Sequence, residues 1–266
     1  MPYRKGTPWG RLKPPEFAQL DWGDPINRGL VGRWLFGGAR ARIDDMTGRN
    51  PMRGNSGVTD VPGPFGGRAI QFDGTTGFTR NSFQGVRPIV TTPPFSYVAW
   101  ACWTDSTKAH DIIFTQDEAG NVDYYGIFIN ATSGLFAAVN RDSGGTHTAT
   151  STAAATVGYW YQVVGVWAST SDRRIYVNGR LEGTDTTAST PTAANLDSTT
   201  FGALNRLTVA YGTGKMDNAS IYNRALSTAE IERLFNEPFA GIVPNRRRII
   251  STPPNSPQAG AMMQVF

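Results

Sequence analysis

The chain of 266 residues has little of what most enzyme chemistry needs. Its one cysteine, Cys102, rules out an intrachain disulfide and so any stapling suited to an oxidising compartment. Cys102 lies in the apolar run YVAWACW, which suits a buried structural thiol better than a nucleophile. The two histidines, His110 and His147, stand in polar stretches without a nucleophile motif and read as surface residues rather than bases. Long apolar runs are missing as well. The start, MPYRKGTPWG, has no apolar segment of a secretory signal, and no run is long enough to span a membrane. Without export, the sequons at Asn130 and Asn218 are chance matches.

Acid is missing from the end of the chain. Residues 241–266 hold Arg246, Arg247 and Arg248 and no carboxylate, for a net +3. Residues 1–33 carry another +3, so residues 34–240 are left at −2 out of a total of +4. Basic ends on a faintly acidic middle suggest tails that meet an acidic partner surface. Three arginines and scattered partners make no basic stripe, so specific nucleic-acid binding is not expected.

Glycine (30), proline (17) and aromatic residues (11%) are plentiful, which favours many short strands joined by turns. The stretch 160–183, WYQVVGVWASTSDRRIYVNGRLEG, is the clearest of them. Val164, Val166 and Ala168 share one face of a strand while Val163, Gly165 and Trp167 share the other, as in an inner strand packed on both sides. After a polar turn the chain returns with Ile175 and Val177 on one face and Arg174 and Tyr176 on the other. Asn178-Gly179 then signals a type I′ hairpin turn.

In chain order, residues 1–28 form a Pro-rich arm with apolar anchors Trp9, Leu12, Phe17, Leu20 and Trp22. Such an arm wraps its own domain or docks on another subunit. Strands are expected at 29–36, with Trp34 in the core, and at 69–73, 95–103, 111–116, 122–129, 134–139, 201–204, 206–211 and 216–222. Residues 37–64 read as surface loops, and 142–157 and 184–200 as edge strands or loops. One helix interrupts the pattern: Ser227 and Glu230 spell a capping box, Leu226 staples onto Ile231, and Pro238 ends it. Residues 241–266 form a second irregular arm ending in Phe266.

The blocks GLVGRWLF, AIQFDGTTGF, FSYVAW, GYWYQVVGVW, RIYVNGRLEG and GKMDNASIYNRALSTAEIERLF make residues 29–240 resemble a laminin-G-like, concanavalin-A-like jelly roll. The resemblance implies an all-β, two-sheet antiparallel jelly-roll sandwich with one short C-terminal helix between irregular arms. The flanks QLDWGDPINRGLVG and EPFAGIVPNRRR are similar to those of jelly-roll proteins encoded by tailed bacteriophages.

Some relatives of this fold hydrolyse glucans with an E-x-D-x-E strand, because a retaining mechanism holds two carboxyls about 5 Å apart. Glutamate occurs here only at 16, 118, 182, 230, 232 and 237 and never in that pattern, so no enzyme activity is expected. The resemblance also implies structural calcium at Asp217. Loop groups are candidates for further oxygen ligands, either Asp44 and Asp45 or Asp117, Asn121 and Asp123, while polar turns explain the same acids without metal. Sugar binding would need an exposed aromatic platform, for which Trp103, Tyr124, Tyr125 and Tyr211 are candidates, though strand aromatics are commonly core. The reading that follows is a virion structural protein, a capsid decoration or tail-associated subunit made in the host cytoplasm. Its arms, with Trp9, Trp22, Arg246, Arg247, Arg248 and Phe266, would hold capsid or other virion proteins, or further copies of itself. The alternative is a carbohydrate-binding adhesin or lectin module, calcium-dependent or not, with a glycan as partner.

Overall fold

The computed structural model describes residues 11–15, 18–36, 43–54, 57–81, 88–120, 122–205 and 209–244. Trp9, Asn121, Arg246, Arg247, Arg248 and Phe266 lie outside them. The N-terminal segment brings β1 (Gln19–Leu20) and a 3-10 turn, Pro25–Asn27. Next come β2 (Leu30–Trp34), β3 (Arg53–Gly54), β4 (Val58–Pro62), β5 (Arg68–Asp73) and β6 (Thr79–Arg80). Longer strands follow as β7 (Phe95–Trp103), β8 (His110–Gln116), β9 (Tyr124–Ile129), β10 (Leu135–Asp142) and β11 (Gly145–Ala154). The meander is β12 (Trp160–Ser169), β13 (Asp172–Val177) and β14 (Arg180–Asp185). The chain closes with β15 (Ser198–Phe201), β16 (Ala203–Leu204), β17 (Ala210–Tyr211), β18 (Thr213–Tyr222), helix α1 (Thr228–Asn236) and β19 (Ile242–Val243).

Two antiparallel sheets make the sandwich. One runs β14-β13-β12-β7-β18-β5-β4, with β2 also paired to β18, and the other runs β11-β10-β9-β8-β15-β6-β3. Alternation along β12 explains why three layers form rather than two. Val163 and Trp167 point between the sheets, where Trp167 stacks on Phe95 and meets Tyr125 edge-on. Val164 and Val166 point outward into a second core under α1, with Trp100, Tyr176 and Tyr222. The apolar run on both faces of β12 thus has a cover on both faces.

The helix begins as its sequence requires. The Ser227 hydroxyl accepts from the Glu230 amide, the Glu230 carboxylate accepts from the Ser227 amide, and Arg224 forks onto that carboxylate with both contacts at 2.8 Å. Leu226, Ile231 and Leu234 are buried, and Phe235 stacks on Trp100 at 5.9 Å. The turn after β13 has positive φ at Asn178 (49°) and Gly179 (82°), as a type I′ turn demands.

Three expectations need correcting. Residues 37–64 are not all loop, because β4 adds an edge strand and Ile43 and Met52 are buried. The fold also extends past residues 29 and 240: β1 pairs with β19, and Leu20, Ile26 and Ile242 are buried in the outer core. The described part of the N-terminal arm therefore wraps its own domain as a strap. His110 is a core residue, since Phe72 and the backbone at Gly214 close over its ring. Among the described residues no helix is long and apolar enough to cross a membrane.

Candidate functional site

The strap builds an open cleft on the surface. Past β1 the chain turns sharply at Asp21–Asp24, and Asn27, itself buried, staples that turn by donating to the carbonyls of Asp21 (2.8 Å) and Gly241 (2.7 Å). Trp22 rides on this turn with 59% of its surface exposed. Asp24 caps the 3-10 turn through the Ile26 amide and is gripped by both terminal nitrogens of Arg233, at 2.7 and 2.6 Å. Gly29, at φ +69°, then swings the backbone into β2 beside Asn223, whose amide donates to its carbonyl. The result is an open cleft of about 460 Å³ with Trp22 at its rim, Leu30 and Val31 in its lining, and Asp24, Arg28, Arg49 and Asn223 as its polar groups.

The loop that carries Arg49 to the cleft is organised by one carboxylate. Buried Asp45 accepts from the amides of Arg33 (2.8 Å), Thr47 (2.9 Å), Arg49 (3.3 Å) and Asn50 (3.0 Å), and from the Thr47 hydroxyl. Asn50 in turn donates to the Val31 carbonyl at 2.7 Å. The arrangement is hydrogen-bonded within itself, partly apolar and partly polar, which is what a sugar ring needs: a face to stack on and hydrogen bonds around it.

The expected metal ligands have other partners. Asp217 sits fully buried at a bulge in β18, and its Oδ1 is 2.6 Å from the ammonium of Lys13. That ammonium also donates to the carbonyls of Phe36 and Arg68. A calcium ion does not fit beside Asp217 while Lys13 fills the place. Asp123 accepts from the Thr192 amide and the Asn195 side chain, and Asp117 from the Gly120 amide. These acids order loops, and no group of three metal-ligating side chains occurs among the described residues.

The aromatic candidates also move. Trp103, Tyr124 and Tyr125 are buried, the first and last between the sheets and Tyr124 in a small cluster with Phe114, Val139 and Leu204. Tyr211 is half-buried against Phe78, 6.1 Å away. Trp22, expected as an anchor for a partner, is the aromatic that lines the cleft. The sequence did not bring it together with Arg49 and Asn223, because the three lie in separate loops.

His110 gives the fold an acid limit. Burial pushes its pKa down to about 4, against the hydrogen bond of Nε2 with the Lys215 carbonyl, and Nδ1 has no partner. A folded-state value below the unfolded one means the unfolded chain takes the proton first. Stability is therefore whole above about pH 6.5 and falls toward pH 4, by about 3 kcal/mol from this group. Asp217 works the other way: burial raises it to about 6, Lys13 opposing, so the folded state gains relative stability as its carboxyl takes a proton. Because Asp217 offsets part of this loss, the test is comparative: denaturation midpoints measured between pH 6.5 and 4 should change less favourably on acidification for the wild type than for His110→Asn. Equal slopes would mean His110 does not set the limit.

Comparison with known proteins places the architecture. Residues 73–232 match the family described as the concanavalin A-like lectin/glucanases superfamily. Domain 4 of the extracellular arabinanase AbnA from Geobacillus stearothermophilus, solved in complex with arabinotriose, superposes with a TM-score of 0.64 at 16% identity, covering 82% of this chain and 99% of that domain. The binding domain of Paraclostridial Mosquitocidal Protein 1 gives 0.62 at 16% identity over 81% of this chain and 53% of that one. Trypanosoma rangeli sialidase gives 0.56 at 16% identity over 78% of this chain, which spans only 32% of the sialidase. No curated protein matches the sequence. The family match covers more than half of the chain and agrees with the two antiparallel sheets, so this protein belongs to the concanavalin A-like lectin/glucanases superfamily.

Proposed function

We propose that the protein is a non-catalytic carbohydrate-binding module that holds an oligosaccharide in the Trp22 cleft. One observation carries this reading: a large indole, 59% exposed, is held on a stapled turn at the rim of a polar-edged cleft. Covering an exposed indole removes apolar area from water, which favours binding. The flat apolar face of a pyranose or furanose ring covers it well, while Arg28, Arg49 and Asn223 stand ready for ring hydroxyls. The fold shared with an arabinanase domain solved in complex with arabinotriose supports the same class of ligand. Binding without hydrolysis suits the cleft's own carboxylate, because Asp24 is already engaged by Arg233 and the Ile26 amide. Attachment to virion proteins through the arms has no comparable observation behind it, since the described strap is bound to its own sandwich.

A glycan array followed by calorimetry tests the proposal. The wild type should bind an oligosaccharide class, and Trp22→Ala should weaken that binding at least tenfold while leaving the melting temperature unchanged. Unchanged affinity in Trp22→Ala would move the site elsewhere, and no glycan bound by the wild type would overturn the reading.

A further inference from the structure

We propose that the Lys13 ammonium is a tethered counter-cation: the N-terminal strap delivers it into an oxygen cage at β18 that, without the lysine, takes a divalent cation of the calcium class. The side chain is 9% exposed, and its three N–H donors have three acceptors: Asp217 Oδ1, the Phe36 carbonyl and the Arg68 carbonyl. The acceptors come from three separate segments, at the end of β2, the start of β5 and the bulge of β18. All are oxygens, and one belongs to a carboxylate that is 0% exposed.

The other oxygen of the carboxylate is left unused by the lysine. Asp217 Oδ2 is buried without a hydrogen-bond partner, and a Cβ on Gly63 would stand 3.0 Å from it. Glycine at 63 avoids crowding that oxygen. The carboxylate and two backbone carbonyls are hard donors of the kind calcium takes, with water able to complete the shell. Lysine meets the same need with a single charge that the chain supplies itself. Burial of both charges is unfavourable, but a lone buried carboxylate is worse, so the cage requires some cation. The strap provides it, and the fold becomes independent of dissolved metal.

The experiment compares the full chain with Lys13→Ala by thermal unfolding in EDTA and in millimolar calcium chloride, with calcium calorimetry on both. The wild type should melt alike in the two buffers. Lys13→Ala should melt lower in EDTA, recover in calcium, and bind one calcium per chain at least tenfold more tightly than the wild type. Lys13→Ala combined with Asp217→Asn should not recover. A folded Lys13→Ala that binds no calcium would overturn the proposal, and so would a wild type whose melting depends on calcium. If Lys13→Ala is insoluble, Lys13→Gln takes its place, and failure of both to fold with calcium present throughout purification also counts against it.

Discussion

Gly179→Val should lower the melting temperature by roughly 10 °C, the sum of strain at a left-handed position and a clash behind it. The turn needs φ of 49° at Asn178 and 82° at Gly179, and a β-branched residue resists the second. There is no slack around it, because a Cβ there would lie 3.2 Å from Phe235 Cβ and 3.4 Å from Glu232 Cα, on the face of α1. Relief by slipping the hairpin is closed off as well. Val177 pairs with Arg180 and Tyr176 with Leu181, while Val177 packs toward the core between the sheets and Tyr176 toward the core under the helix. A one-residue slip would exchange those faces. Asn178 further ties the turn to β12, exchanging bonds with the Gln162 backbone at 2.9 Å each way. Gly179→Asn, which tolerates positive φ, should lose clearly less than valine. A valine variant with wild-type melting would show that neither the turn nor the helix contact constrains this position.

Elements written in neighbouring residues were legible from the sequence. The meander, the Asn178-Gly179 turn and the Ser227–Glu230 capping box each depend on residues a few positions apart, and each stands where its pattern puts it. What escaped depends on distance along the chain. Lys13 and Asp217 are 204 residues apart, so an aspartate with the look of a metal ligand gave no sign of its lysine. His110 sits in the polar string Lys108-Ala109-His110-Asp111, and residues distant in sequence, Phe72 of β5 and Gly214 of β18 among them, make it core. Tyr124 and Tyr125 face opposite ways on β9, and alternation would leave one of them outside. Leu204, remote in sequence, helps cover Tyr124, so neither tyrosine is a platform. The cleft has the same character: residues 22–31 supply a rim and floor, but Arg49 and Asn223 arrive from loops that no local pattern joins.

Asp45→Ala should destabilise the fold by about 3 kcal/mol and loosen the wall of the cleft at the same time. Among the donors to this carboxylate is the Arg33 amide, which belongs to a completely buried strand residue. Without Asp45 that amide is orphaned away from water, at a cost of about 1–3 kcal/mol by itself. The remaining donors, at Thr47, Arg49 and Asn50, set the path of the loop, and losing them releases Arg49 from its place beside the cleft. Asp45→Asn separates the two effects of charge and shape. It keeps one accepting oxygen but turns an NH2 group toward N–H donors, so it should recover only part of the loss. Denaturation midpoints should therefore order as wild type, then Asn, then Ala, and oligosaccharide affinity should follow the same order. Stability that falls while affinity holds would leave Asp45 as a fold residue and take Arg49 out of the binding site.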